Sequence, residues 1–131
     1  MDQFIGKFVQ TSSDNMDAYM KECGLADKIQ KYNSKPRILE VSKVGAVITN
    51  TMIFGDNSSV NEFELDKEFD ATLPDGTPCR AVVRLDGNRL VETRSRCGVK
   101  DIENYREFVG NELRMTFNIG SVVAVLTFAR Q

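Results

Sequence analysis

The C-terminal run from Asn104 to Arg130 restricts the fold most, because tight-turn residues divide it into stretches of alternating apolar and polar residues. Its first turn centres on Gly110-Asn111, and both residues tolerate the positive φ angles of a two-residue hairpin. A second turn is predicted around Ile119-Gly120. The run therefore predicts three consecutive antiparallel strands.

A two-residue turn also fixes which residues lie opposite one another. The predicted pairs of the first hairpin are Val109–Glu112, Phe108–Leu113, Glu107–Arg114, Arg106–Met115 and Asn104–Phe117. For the second hairpin we expect Val122 opposite Phe117, Ala124 opposite Met115 and Leu126 opposite Leu113, with Phe128 on the same side. Because side chains alternate along a strand, one face carries the apolar residues and the other carries the Glu107–Arg114 pair.

Arg106 interrupts this apolar face. Leaving a buried charge unpaired costs about 3–5 kcal/mol. We therefore expect Arg106 to meet a partner side chain such as Glu92 or Asn104, a pool of water, or the anionic head of a ligand. The functional hypothesis depends on which of these it meets.

Two short helices are predicted over residues 14–33. The stretch Ser12-Ser13-Asp14 supplies N-cap candidates. One helical face follows at the spacing i, i+3, i+4, i+7, formed by Met16, Tyr19, Met20 and Cys23. Gly24 fits the position that ends this helix. A second helical face consists of Leu25, Ile29 and Tyr32, and its helix must end before Pro36.

Short strands are predicted for the rest of the chain. Before the C-terminal run they cover residues 5–10, 38–42, 47–54, 60–65, 68–73, 80–85 and 90–96. Turn-forming residues separate them, including a loop at 55–59 and a turn at Pro74-Asp75-Gly76. A total of about ten strands, spaced roughly 8–12 residues apart, favours a barrel or a sandwich.

The hairpin around Asp86-Gly87-Asn88 contains unexpected charges. Its register places Ala81, Val83, Leu85 and Leu90 on one face, and that face continues with Glu92, Arg94 and Arg96. If this face is internal, the charged residues require a water-filled cavity, because a close-packed core would not hold them. The alternative is that the polar side of the hairpin faces solvent.

Charge and composition exclude several classes of function. The net charge is −2 with both signs interspersed, which lacks the basic patch of a nucleic-acid-binding protein. Without histidine, catalytic triads, histidine bases and histidine-ligated metals are excluded, and we expect no metal or cofactor. Cys23, Cys79 and Cys97 have no CxxC spacing and are expected to be free thiols. No signal peptide or membrane span is recognisable, so a cytoplasmic protein is expected.

A series of short motifs runs along the whole chain in a defined order. They are Gly6-Lys7-Phe8, Asn15-Met16-Asp17-Ala18-Tyr19-Met20-Lys21, Lys35-Pro36, Phe63-Glu64-Leu65-Asp66-Lys67-Glu68-Phe69-Asp70, Asp75-Gly76, Leu85-Asp86-Gly87 and Arg106-Glu107. This ordered series resembles the intracellular lipid-binding proteins, the family of fatty-acid-binding and cellular retinoid-binding proteins.

The resemblance implies a single all-β domain over residues 1–131. Its fold would be a ten-stranded antiparallel up-and-down β-barrel, a clam lidded by a helix-turn-helix at about 14–33. The barrel interior would hold one or two lipids, with a portal formed by the second helix, the 54–59 loop and the turn at 74–76. The candidate ligand-binding residues are Arg106, Arg94, Met115, Phe117, Leu126, Phe128, Met16, Met20 and Phe54.

Three departures from the family pattern bear on the ligand. Many relatives bind a carboxylate with an additional Arg-x-Tyr on the last strand, and Leu126 and Phe128 occupy those positions here. Phe8 stands where the family has tryptophan, and the loop after Phe54 is about two residues longer than usual.

The sequence favours a non-catalytic, monomeric carrier of a long-chain fatty acid or similar hydrophobic ligand. A carrier of a neutral or retinoid-like lipid is the alternative, because Leu126 and Phe128 remove half of the carboxylate clamp. A module that docks on membranes or partners through the lid is a further alternative, since lysines such as Lys21 and Lys31 lie on or near the helices. An enzyme has no support from the residues present, and no nucleic-acid partner is expected.

Overall fold

The ten β-strands of the protein form one antiparallel sheet that closes almost completely into a barrel. A computed structural model describes residues 1–72, 78–95 and 102–131. The strands are β1 Gly6–Asp14, β2 Ile38–Val44, β3 Val47–Phe54, β4 Asn57–Phe63, β5 Phe69–Thr72, β6 Pro78–Asp86, β7 Arg89–Ser95, β8 Ile102–Val109, β9 Glu112–Ile119 and β10 Val122–Arg130. Their order in the sheet is β4-β3-β2-β1-β10-β9-β8-β7-β6-β5, so β1 joins β10 and the other ladders connect sequence neighbours. The predicted up-and-down barrel is confirmed.

Alternation of buried with more exposed residues on strands such as β6 and β10 shows which of their faces lies inside. On β10, Ala124, Leu126 and Phe128 are buried, and on β6 Cys79, Ala81 and Val83 are buried. This period of two is what a sheet with one apolar face requires. Leu85 has the same parity as the buried residues of β6 but is 40% exposed at the end of its hairpin, so the interior face ends before it.

The predicted register is correct for the β8–β9 hairpin and wrong for the β9–β10 hairpin. Every predicted pair of the β8–β9 hairpin is confirmed. The β9–β10 pairs are displaced by two residues, with Val122 opposite Ile119 and Leu126 opposite Met115. The turn contains only Gly120 and Ser121 and is tighter than predicted. A displacement of two preserves the face of each side chain, so Leu126 still points inward.

Glu107 forms its ion pair with a different strand from the one predicted. Its Cα lies opposite that of Arg114, as expected. Its carboxylate, however, accepts a hydrogen bond from Nε of Arg89 on β7 at 3.0 Å. Arg89 also stacks over the ring of Tyr105, with 4.5 Å between the guanidinium carbon and the ring centre. The outer face of β7 and β8 is therefore joined by charge and by cation–π contact.

Aromatic side chains fill the end of the barrel where β10 finishes. Phe4, on a short 3₁₀-helix before β1, is fully buried and packs on Phe108 with 5.5 Å between ring centres. Arg130 covers this end, with its guanidinium carbon 4.7 Å from the ring centre of Phe8. Its Nη1 donates to the carbonyl of Ile5 at 2.8 Å. Phe4, Phe8 and Phe128 are all fully buried at this end of the barrel.

The two helices cover the other end of the barrel, beside the start of β10. They are α1 Met16–Glu22 and α2 Ile29–Tyr32, and a 3₁₀ turn Ala26–Lys28 precedes α2. The predicted N-cap is wrong, because β1 extends through Asp14 and Asn15 caps α1 with φ of 62°. Nδ2 of Asn15 donates to the carbonyl of Val123 at 2.9 Å and ties the start of α1 to β10. None of the helices in the described segments is both long and apolar enough to cross a membrane.

The β3–β4 turn is tighter than predicted and touches the lid. Only Gly55 and Asp56 form it, and residues 57–59, predicted as loop, belong to β4. The prediction of a loop over residues 55–59 is therefore wrong for residues 57–59. The turn packs on the second helix, where the rings of Phe54 and Tyr32 lie 4.8 Å apart between centres. Lys35 adds an exposed ion pair with Asp56 at 3.3 Å.

Some sequence predictions fall outside the described residues. They concern the Pro74-Asp75-Gly76 turn, the Leu73 end of β5, the position of Arg96 and the state of Cys97.

Replacement of Gly55 by alanine tests the contact between turn and lid. A Cβ at this position would lie 2.6 Å from the carbonyl oxygen of Lys31, whereas Gly45, with the same φ of +61°, has nothing within 4 Å. We expect Gly45→Ala to lower the free energy of unfolding by about 1–2 kcal/mol through left-handed strain. We expect Gly55→Ala to cost about 1–3 kcal/mol more, because it also displaces α2. Urea denaturation measures both, and equal losses would contradict the turn–lid contact.

Candidate functional site

A cavity of about 560 Å³ lies inside the barrel, between the aromatic end and the helices. Eight of the nine predicted binding residues line it: Met16, Met20, Phe54, Arg94, Arg106, Met115, Phe117 and Leu126. They come from α1, from β3, and from β7 to β10, so no single motif builds the cavity wall. The cavity has the size and the mixture of apolar surface with a few polar groups typical of small-molecule sites.

Phe128 does not belong to this lining. It is fully buried, but it lies opposite Leu113 near the aromatic end. Its side chain points inward, as predicted from the alternation along β10. Its position near the end of the strand places it beside the aromatic residues and outside the cavity lining.

Arg106 projects into the cavity from β8 and meets an amide. Its Nη2 donates to Oδ1 of Asn50 on β3, across the barrel, at 2.6 Å. Its Nη1 is buried and has no acceptor among the described residues. Burial lowers the pKa of Arg106, while the negative charge of Glu92 acts in the opposite direction. The expected partners Glu92 and Asn104 do not hydrogen-bond to Arg106; the amide partner comes from Asn50.

Glu92 and Arg94 form an ion pair on the interior wall. Nε of Arg94 donates to Oε1 of Glu92 at 2.9 Å, and the two side chains are only 15% and 20% exposed. Burial alone lowers the pKa of Arg94, but the charge and hydrogen bond of Glu92 outweigh it and the net shift is upward. Both residues line the cavity, so the interpretation of this hairpin face as internal is confirmed.

Arg37 is a third cavity arginine, which sequence reasoning missed. It is 6% exposed and precedes β2, and it lines the cavity beneath the lid. Its Nη2 donates to Oδ1 of Asn33 at 2.7 Å, and its backbone N–H donates to Oε1 of Gln10 at 3.0 Å. Burial lowers the pKa of Arg37. Residues 37, 39 and 41 share one parity, so its inward direction was readable from the buried Leu39 and Val41.

The lining of the cavity therefore carries an excess of positive charge. Within the described residues its charged members are Arg37, Arg94, Arg106 and Glu92, which sum to +2. Three guanidiniums against one carboxylate, enclosed by apolar walls, favour an occupant that brings negative charge or strong hydrogen-bond acceptors.

Tyr19, Cys23 and Cys79 are further interior residues that carry potentially reactive groups. Tyr19 lies 5.3 Å from Phe117 between ring centres, and burial together with a hydrogen bond to Cys23 raises its pKa. Cys23 and Cys79 are buried and form no disulfide within the described residues, as predicted for these two. No group of three or more potential metal ligands occurs in the part of the chain that the structure covers.

Comparison with known proteins identifies the family. The chain matches the profile of the Lipocalin / cytosolic fatty-acid binding protein family over residues 2–127. It is 32% identical over 121 residues to the liver-type fatty acid-binding protein of Epinephelus coioides, with 91% of each chain covered. The chain belongs to the lipocalin and cytosolic fatty-acid binding protein family, and the resemblance seen in its motifs is confirmed.

Solved structures agree with this assignment. The fatty acid-binding protein from Drosophila melanogaster brain tissue is 35% identical with a TM-score of 0.85, over 96% of this chain and 98% of that chain. The apo form of Caenorhabditis elegans lipid binding protein 8 gives a TM-score of 0.92 at 20% identity, over 100% of this chain and 97% of that chain. The second similarity concerns the fold alone.

Replacement of Glu92 tests whether this carboxylate neutralises the cavity. Glu92→Gln keeps the size of the side chain but leaves the interior guanidiniums without a negative charge among the described lining residues. We expect a loss of about 2–4 kcal/mol in the free energy of unfolding, because the pair is buried. Glu64→Gln breaks an exposed pair with Lys67 and is expected to cost only about 0–1 kcal/mol. Similar losses for the two variants, measured by urea denaturation, would contradict a neutralising role.

Proposed function

We propose that the protein is a non-catalytic carrier that binds a long-chain fatty acid, or a similar hydrophobic ligand, inside the barrel. The observation that carries the proposal is the cavity itself, which joins apolar walls to an enclosed guanidinium with an unused donor, Nη1 of Arg106. A carboxylate head would accept a hydrogen bond from this donor while the acyl chain lies against Met115, Phe117 and Leu126. Charge-assisted bonds of this kind are among the strongest available to a ligand.

The charge balance of the cavity supports an anionic head. The described lining sums to +2, and a carboxylate reduces this excess. Arg94 already pairs with Glu92, so Arg106 is the guanidinium we propose as anchor. Family membership supports the same class of ligand, since the relatives from Epinephelus coioides and Drosophila melanogaster are named as fatty acid-binding proteins.

A carrier of a neutral or retinoid-like lipid is the second candidate. Leu126 is an apolar wall residue and Phe128 lies outside the cavity lining, so the last strand contributes no polar group at these two positions. A lipid held mainly by apolar contact would need no second anchor beyond Arg106.

The further properties that we propose follow from this role. The 131-residue chain would act as a single cytoplasmic, monomeric domain that binds its ligand without changing it chemically. Lid residues near the β3–β4 turn would open for ligand exchange, and the exposed lysines of the helical region would make transient contact with anionic membranes.

Competition between lipids tests the carrier proposal and the anchor together. A fluorescent fatty acid bound to the delipidated protein is displaced with oleate, oleyl alcohol and retinol, for the wild type and for Arg106→Met. We expect oleate to bind more tightly than the alcohol, and Arg106→Met to lose about 1.5–3 kcal/mol of that preference. Arg114→Met removes an exposed guanidinium from the neighbouring strand β9 and serves as the matched control, with no expected change.

The outcomes separate the candidates. Equal displacement by alcohol and acid, unchanged in Arg106→Met, would refute the carboxylate anchor and favour the neutral-lipid carrier. Binding of none of these lipids would refute the carrier function.

A further inference from the structure

Two side chains of β8, Arg106 and Asn104, each carry a buried hydrogen-bonding atom without a partner among the described residues, one a donor and one an acceptor. Nη1 of Arg106 is a buried donor without an acceptor, and Oδ1 of Asn104 is a buried acceptor without a donor, among the described residues. Both side chains line the cavity. They are two positions apart on one strand, which gives the same inward face and a separation of about 7 Å between Cα atoms.

The neighbouring strands explain why neither atom finds a partner. Asn104 lies between Glu92 on β7 and Phe117 on β9, and an ionised carboxylate and a phenyl ring offer no donor. Arg106 lies between Leu90 and Met115, which offer no strong acceptor, so its one amide contact comes from across the barrel. A buried polar atom left unsatisfied costs about 1–3 kcal/mol. These positions therefore favour a ligand that satisfies both atoms.

A plain carboxylate can satisfy only one of them. Its oxygens accept from Nη1 of Arg106, but they have no hydrogen to donate to Oδ1 of Asn104. The Asn104 side is also the side of Glu92, whose charge disfavours a second acceptor there. A head group with an O–H or N–H next to its acceptor oxygen would donate to Oδ1 and accept from Nη1 at the same time. Each of the two hydrogen bonds would be about 3 Å long, with the head group lying between the two side chains.

We propose that Asn104 and Arg106 form a paired head-group site that selects lipids carrying a donor beside the acceptor, such as 2-hydroxy acids and primary amides. The inference rests on the proposed carrier function and adds to it a specificity-determining residue, Asn104. Arg106 recognises the acceptor oxygen, and Asn104 recognises the neighbouring hydrogen. Selection arises because a lipid without that donor leaves Oδ1 of Asn104 unsatisfied.

Pairs of lipids with the same acyl chain, one with the donor and one without it, test the proposal. The probes are 2-hydroxypalmitate against palmitate, and palmitamide against methyl palmitate, each measured by displacement of a fluorescent fatty acid. We expect the donor-bearing member of each pair to bind about 5-fold more tightly to the wild type, as for one net hydrogen bond. In Asn104→Leu the ratio falls to about 1, while the affinity for palmitate itself is retained.

Two further variants serve as controls. One tests whether the loss of any polar cavity residue has the same effect, and the other replaces Asn104→Leu if that variant does not fold. Asn61→Leu makes the same chemical change at another cavity-lining amide and is expected to keep the wild-type ratio. Asn104→Gln keeps an uncharged amide acceptor on the same face, so it preserves the preference for 2-hydroxypalmitate over palmitate and decides the question if Asn104→Leu does not fold.

The contradicting results are distinct from those for the carrier function. A ratio near 1 in the wild type, an unchanged ratio in Asn104→Leu, or a lost ratio in Asn104→Gln would each overturn the paired site. Failure of all four lipids to bind the wild type would instead overturn the carrier function itself.

Discussion

A positive charge enclosed within the barrel is the constraint on which the rest of the structure depends. The guanidinium of Arg106 is removed from bulk water, and burial disfavours its charged form. A close-packed core could not accommodate it, whereas a barrel with an internal cavity brings polar groups to it from separate strands. Asn50 reaches it from β3 and Glu92 contributes an opposing charge from β7. The aromatic packing at one end and the helices at the other enclose this polar centre.

The local features of the fold were predictable because they depend on neighbours in sequence. Alternation fixes which side chains point inward, and two-residue turns fix the β8–β9 register. The β9–β10 register was missed because turns of two and four residues both preserve the inward face. Residues 57–59 were mistaken for a loop since they are polar, yet β4 is a terminal strand of the sheet and need not bury them.

The sequence predicted which side chains of the site point inward, but not which residues they contact. Parity placed Arg106 and Leu126 on the inner face and left Arg94 open between the interior and solvent, and all three line the cavity in the structure. The Asn50–Arg106 contact joins residues 56 apart on strands that are not neighbours, so it depends on barrel diameter and curvature, which no local pattern encodes. Alternation also does not show how far along the barrel axis a side chain lies. Phe128 faces inward as predicted, but it lies near the aromatic end and outside the cavity lining.

The seam between the first and last strands of the sheet order has a mechanical consequence. No ladder joins β4 to β5 in the described segments, and the stacked rings of Phe63 and Phe69 lie near this seam with 5.4 Å between centres. Here an aromatic contact stands where backbone hydrogen bonds join the other neighbouring strands. A widening of the barrel between β4 and β5 would therefore break none of the hydrogen-bonded ladders of the described segments.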